Sequence, residues 1–279
     1  MSRIRRRLAA ALAAPLALAL VTATPGTASA RSAAATIPSF DFADCPQLPA
    51  GADPFSWQCN QIIVSSGTMK LGKVEQPISK PMSITYATGF DPGVPGVEFI
   101  FGKLRAEKMK VPGGLIGVPG SDPIDLTSVY ALPKYAGHLS FPDGGFNARL
   151  WLRVQLINPL LRSTCHIGTT SNPIKLNLTM VGDAEVVSED PVVLKLTVQD
   201  NTFAVPGASG CGLFNGGLLD KTVNLRAGIP SPSGSNSANF TQFVSFKTYS
   251  DIPAAARVAP QSATADEQAE AAAAAAAEQ

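Results

Sequence analysis

Cys165 and His166 stand side by side in Ser163-Thr164-Cys165-His166-Ile167, and His138 is the chain's one other histidine. A cysteine beside an imidazole is the arrangement of a thiolate nucleophile with its base, or of half a metal site. Both roles need a reduced thiol, and the metal role needs further ligands. Neither paired Cys-x-x-Cys nor His-x-x-x-His spacing occurs, so no metal or other cofactor is assigned. The nearest approach to a Gly-x-Ser-x-Gly nucleophile elbow is Gly207-Ala208-Ser209-Gly210-Cys211, where cysteine replaces the last glycine. No lysine has a serine three positions before it, so a Ser-x-x-Lys nucleophile is absent. His138, in Gly137-His138-Leu139-Ser140, reads as a surface or hydrogen-bonded structural histidine on a strand.

Calcium would draw on carboxylate loops. Asp122 with Asp125, and Asp143 with Asn147, are the local clusters, and ordinary turn chemistry accounts for both. Glu189-Asp190 fits a hairpin loop. The two carboxylates of a glycosidase pair only in space and leave no local signature. Trp57, Trp151 and four tyrosines are few for the aromatic platforms of a sugar-binding surface. The apolar loop from Val111 to Pro119 reads as a tucked hairpin that would touch lipid or a partner only if it projected. No catalytic, cofactor-binding or metal-binding residue is assigned.

The N-terminus explains why the thiol is not expected to be free. Arg3, Arg5, Arg6 and Arg7 precede an apolar run from Leu8 to Val21, and Ala28-Ser29-Ala30 follows, the three parts of a secretory signal peptide. Residues 1–30 are therefore expected to be removed and the mature protein to be secreted. The apolar run is shorter than the roughly 20 residues of a spanning helix, so no transmembrane segment is expected in the mature chain. Four cysteines in an exported chain read as two disulfides. Three pairings are open; Cys45–Cys59 and Cys165–Cys211 are favoured, because each pair lies within one compositional region and encloses turn-rich sequence. Cys165 is then a staple at the entry to a strand, and a Cys-His nucleophile loses its thiolate.

Export also changes the charge. The full chain carries 22 basic and 21 acidic residues; without the four N-terminal arginines, 18 basic residues face 21 acidic ones. No basic block remains to follow a phosphate backbone, so nucleic acid is not an expected partner. Asp266, Glu267, Glu270 and Glu278 against Arg257 place the excess acid in residues 254–279, and residues 31–253 are neutral.

Whatever chemistry exists must be positioned by strands. Leu150, Leu152, Val154 and Leu156 alternate with Arg149, Trp151, Arg153 and Gln155; Ile174, Leu176, Leu178 and Met180 repeat the pattern, and so do Val192, Leu194, Leu196 and Val198. Such period-two runs are half-buried strands. Weaker candidates are 61–65, 82–87, 97–105, 127–132, 137–141, 222–226 and 240–249, separated by Pro/Gly/Asp turns. The pattern predicts an all-β fold, an antiparallel β-sandwich of about ten strands over residues 45–253, with two subdomains meeting near 158–160 as a variant. Residues 31–44 read as a flexible lead-in. Residues 254–279 read as a low-complexity Ala/Glu tail, disordered or helical and solvated, although Thr264-Ala265-Asp266-Glu267 has capping-box spacing.

At Cys165, Ser171-Asn172-Pro173-Ile174, Leu176-Asn177-Leu178-Thr179, Val205-Pro206-Gly207-Ala208-Ser209-Gly210-Cys211-Gly212 and Gly228-Ile229-Pro230-Ser231-Pro232, the chain resembles a group of exported actinobacterial proteins of unknown function. The resemblance covers mainly residues 150–250. It implies a bacterial, secreted protein and supports the Cys165–Cys211 pairing, and it transfers no active site. The expected function is a non-catalytic binding or structural module of the cell envelope or medium. The rivals are an extracellular hydrolase whose carboxylates converge only in the fold, and a carrier of an apolar ligand between the sheets.

Overall fold

The alternation over 150–156 is realised in a strand, Ala148–Ile157, whose Leu150, Leu152, Val154 and Leu156 are buried in the main core. In chain order the computed structural model has β1 (Trp57–Leu71), β2 (Val74–Pro77), β3 (Met82–Gly89), β4 (Glu98–Arg105), β5 (Met109–Lys110), β6 (Tyr130–Ser140) and β7 (Ala148–Ile157). There follow β8 (His166–Ile167), β9 (Ile174–Glu189), β10 (Val192–Asp200), β11 (Ala208–Ser209), α1 (Leu218–Ala227), β12 (Ser237–Thr248) and α2 (Ala263–Ala276). The residues described are 36–90, 96–118, 120, 124, 126–212 and 217–276. The Asp122/Asp125 cluster lies outside them, as do the signal-peptide residues 1–30.

The twelve strands form one antiparallel network, with the order β11-β8-β7-β9-β10-β12-β1-β3-β4; β6 pairs with β7, β5 with β6, and β2 with β1. β9 links the two halves of this network. Its first residues pair with β7 (Ile174 opposite Leu152) and its later ones with β10 (Thr179 opposite Gln199). At the far ends, Phe101 of β4 stacks on Tyr135 of β6 with ring centroids 3.7 Å apart. Strands from β1 round to β12 thus turn their apolar faces onto one core, which includes Ile62, Ile84, Leu104, Leu139, Leu176 and Phe240. Fully burying a leucine or isoleucine stabilises by roughly 1.5–3 kcal/mol, so this shared core is the principal term holding the two halves together. Residues 37–279 form one compact unit, and a division near 158–160 does not appear.

Three sequence expectations change. The 222–226 segment is not a strand but part of α1. Leu219, Val223 and Ala227 recur at helical spacing and pack on the core, and Gly228 ends the helix in the left-handed conformation (φ 64°), as C-terminal caps commonly require. The exposed Leu218 and Leu225 masked that periodicity. The 127–132 and 137–141 candidates merge into β6, whose register slips between Tyr135 and Leu139.

The segments flanking the strands are also tied down. The lead-in expected to be flexible over residues 31–44 is described only from 36 onward, and there Phe42 N–H donates to Gln61 Oε1 at 3.1 Å and buried Asp44 pairs with Arg105. Just beyond, Tyr249 Oη donates to Pro46 O at 2.8 Å. These contacts enclose a second small core of Cys45, Trp57, Cys59, Ala87, Tyr249 and Ile252. The tail, read as a solvated end, folds back as α2, which packs on β6.

Both disulfides are present as paired in the sequence reading: Cys45–Cys59 and Cys165–Cys211. No cysteine is free.

Candidate functional site

The alternation that builds the strands also leaves a space at their centre. A cavity of about 130 Å³ is lined by Leu150, Leu152 and Val154 of β7, Ile62 and Val64 of β1, and Phe240 of β12, among other apolar side chains. Protein interiors seldom leave voids larger than a water molecule, and an apolar void of this order stays dry and accepts a small apolar molecule. One end is covered by Thr222, Val223 and Arg226 of α1 with Gly114 and Leu115 of the preceding loop. Arg226 Nη2 donates to Pro112 O at 3.3 Å, which ties the two covers together. The apolar loop from Val111 is therefore half tucked: Val111 and Gly114 are buried, whereas Ile116 is 60% exposed. Leu218 and Leu225 of α1 are exposed as well.

α1 is held over this end by polar side chains on its hidden face. Asn224 Oδ1 accepts from Ala208 N–H at 2.6 Å and its Nδ2 donates to Ala208 O at 3.1 Å. Asp220 Oδ1 accepts from the Cys211 N–H at 2.8 Å. The Cys165–Cys211 disulfide thus fixes β11, and β11 fixes the helix.

A polar cluster lies on the opposite face of β7. Arg153 alternates with the cavity-lining Leu152 and Val154, so it points away from the core, yet it is only 1% exposed because α2 covers it. Glu270 of α2 accepts from Arg153 Nη1 at 2.8 Å and, through its other oxygen, from Lys134 Nζ at 2.8 Å. His166 completes the group. Its Nδ1 lies 3.0 Å from Thr164 O, a contact that only an Nδ1–H can make a hydrogen bond, which leaves Nε2 to accept from Arg153 Nη1 at 2.9 Å. Glu270 Oε2 is 3.1 Å from the same Nε2, and the two hydrogens of Nη1 serve both acceptors. Glu267 accepts from Thr170 Oγ1 nearby.

Protonation of this cluster works against the docking of α2. Burial holds the His166 imidazole below its ordinary value, assisted by the charges of Arg153 and Lys134 and opposed by Thr164 and Glu270. Burial pushes the Glu270 carboxyl up, but hydrogen bonds from Lys134 and Arg153 and their charges bring it below its ordinary value. Both groups therefore bind protons less readily in the folded protein than in the unfolded chain, and for Glu270 the lowering comes from the Lys134 and Arg153 contacts that docking of α2 makes. Stability from His166 is complete above about pH 6.5 and falls as pH drops below it; stability from Glu270 is lost on further acidification, from about pH 4.5 down through its folded value. Hydrogen exchange of the amides of residues 263–276 should accelerate as pH falls below about 4.5, after correction for intrinsic rates, relative to the amides of β1. Equal loss of protection in β1 and α2 would contradict this.

The other residues singled out in the sequence find ordinary roles. His138 Nε2 pairs with Ser140 Oγ at 3.0 Å, and its ring packs on Trp151 at 4.8 Å. Trp151 is partly exposed on the outer face of β7 and carries the Lys175 ammonium over its ring. Asn147 Nδ2 donates to Asp143 at 2.5 Å and Gly145 N–H donates to it at 3.3 Å, which is turn chemistry. Glu189 and Asp190 lie at the β9–β10 hairpin. Among the described residues no group of three or more His, Cys, Asp or Glu side chains could hold a metal ion, and no helix is long and apolar enough to cross a membrane. Three further carboxylates are individually partnered: Glu107 by Lys80 at 2.5 Å, Asp266 by Gln261 at 2.6 Å, and Asp41 by Gln61 at 3.1 Å.

Sequence reasoning missed the Lys134–Arg153–His166–Glu270 group. The one available signal was an arginine in the outward register of a strong strand beside an acid-bearing helical tail. Comparison with known protein families, curated proteins and solved structures yields no match.

Proposed function

We propose that the chain is an exported, non-catalytic module of β-sandwich type that carries a small apolar ligand, or part of an acyl chain, between its sheets in the cell envelope or medium. The observation that carries this reading is the apolar cavity of about 130 Å³ inside the strand network. A stable core fills such space with side chains; a binding protein leaves it for a guest. The exposed Ile116 of the loop from Val111 and Leu218 and Leu225 of α1 put apolar side chains on the two segments that cover the cavity, where an apolar ligand would be met. Two disulfides accord with an oxidising, extracellular setting. The resemblance to exported actinobacterial proteins and the signal-like N-terminus point the same way.

Titration of the purified mature protein with a polarity-sensitive fluorescent fatty acid tests the proposal. Saturable binding is expected, displaced by unlabelled medium-chain fatty acid or a benzene-sized hydrocarbon. Ala131→Leu, which projects into the cavity, should weaken binding by about tenfold or more, equivalent to losing about 1.4 kcal/mol of contact. Absence of binding, or binding that Ala131→Leu leaves untouched in a folded variant, would sink the carrier reading.

A further inference from the structure

We propose that Lys134, Arg153 and His166 form a carboxylate-binding site on the outer face of β6, β7 and β8, which α2 occupies in cis through Glu270 and yields to a competing carboxylate. Lys134 of β6 and Arg153 of β7 donate to one carboxylate, and the His166 ring of β8 lies against the oxygen that Arg153 reaches and accepts from Arg153. An arginine in the outward register of a strand ordinarily extends its guanidinium into water; here it is withdrawn to 1% exposure beneath a helix. Burying a guanidinium is unfavourable unless an anion accompanies it, so this position is organised around a negative group.

Glu270 is an imperfect occupant. Arg153 reaches it with Nη1 alone, while Nε and Nη2 are buried with no hydrogen-bond partner among the described residues. A guanidinium best holds a carboxylate through two parallel N–H···O bonds. A carboxylate on a flexible or free ligand can take that fork; one fixed to a helix that is also bonded to Lys134 does not.

The occupant is also weakly held. α2 is 14 residues long, and its buried side chains are Ala263 and Ala274. A helix of this length is marginal alone in water, and two alanines give it little apolar grip. Its other anchors include the Thr170–Glu267 hydrogen bond and Gln261, which donates to Asp266 at 2.6 Å and is itself tied to β4 through Gly102 O at 2.9 Å and Leu104 N–H at 3.0 Å. Access exists already. A groove of about 920 Å³ opens beside Lys134, Ala269 and Glu270, lined also by the cations of Lys103 and Arg105 and the acids Asp41, Glu107 and Asp266. Lys134 is 28% exposed at its edge, so an anion can engage the lysine before α2 moves.

The carboxylate could belong to a small molecule or to an acidic peptide side chain, and two probes separate these sources. Succinate and a synthetic peptide of residues 259–276 are titrated into the mature full-chain protein and its Glu270→Gln variant at constant ionic strength. Binding is read by calorimetry, and α2 by hydrogen exchange of residues 263–276. Glu270→Gln should reduce α2 protection and strengthen binding of at least one probe by about tenfold, the scale of one charge-assisted hydrogen bond. The further change Lys134→Met, at a partly exposed position that leaves Arg153 in place, should abolish that gain. Succinate binding alone identifies a small-molecule site; peptide binding alone, lost when the peptide carries glutamine at 270, identifies a site for acidic helices. The proposal is overturned if the folded Glu270→Gln protein binds neither probe, if Lys134→Met leaves binding unchanged, or if α2 protection is indifferent to Glu270.

Discussion

Replacing Cys165 and Cys211 together by alanine is expected to lower stability by about 4 kcal/mol, against about 3 kcal/mol for the Cys45/Cys59 pair. The difference follows from the loops closed, with sequence separations of 46 and 14: a longer cross-linked loop removes more conformations from the unfolded chain. Position adds to it. Both Cys165 and Cys211 are fully buried, and between them they join the lead-in to β8 with the end of β11. β8 pairs with β7 through Val154–Ile167 and Gln155–His166 only, and β11 pairs with β8 over two residues. With ladders this short, the cross-link carries a large share of what holds this edge, beside the flanking bonds from Leu156 N–H to Cys165 O and from Arg162 N–H to Cys211 O. Loss of the disulfide should therefore also loosen α1, whose Asp220 and Asn224 are bonded to Cys211 and Ala208. Urea unfolding of the two double mutants gives the ordering directly. A larger loss from the Cys45/Cys59 pair would contradict the loop-closure account.

Leu150→Ala is expected to cost about 4–5 kcal/mol, the upper part of the range for a buried leucine. Leu150 is 5% exposed and lines the existing cavity, so its removal enlarges a void. The walls cannot collapse into that void, because β7 is fixed by ladders to β6 on one side and to β9 on the other. Leu225→Ala is the control: this leucine is 78% exposed on α1, and its loss should change stability by no more than about 0.5 kcal/mol. The cavity reading adds a sharper expectation. An apolar ligand that fills the enlarged space should restore part of the loss, by about 2.7 kcal/mol when free ligand is about 100 times its Kd. Thermal unfolding of Leu150→Ala with and without a benzene-sized hydrocarbon measures both terms. A folded variant whose midpoint does not rise with ligand would mean that the cavity does not admit guests.

The strands of the core were legible because their code is local. Leu150 to Leu156, Ile174 to Leu178 and Val192 to Val198 alternate with period two, and in a pleated chain that alternation alone separates an inner from an outer face. The disulfide pairing was legible for a similar reason, since each pair closes a turn-rich segment of its own region. α1 was missed because exposed Leu218 and Leu225 blur its apolar stripe, and its burial comes from β11 through Asn224 and Asp220 rather than from its own pattern. The cavity was equally out of reach, since a void is a mismatch between side chains from distant strands and no single strand records it.

The polar cluster shows most plainly where local information ends. From its own strand, Arg153 is an outward-facing, solvated cation, and the sequence determined that face and no more. Its burial depends on Glu270, 117 residues away, carried by a tail whose composition suits water as well as docking. Period and turn chemistry act between neighbours and so are written in the chain. The placement of α2 over β6 to β8 balances desolvation of a guanidinium against one well-placed carboxylate, and only the tertiary structure brings those two charges together.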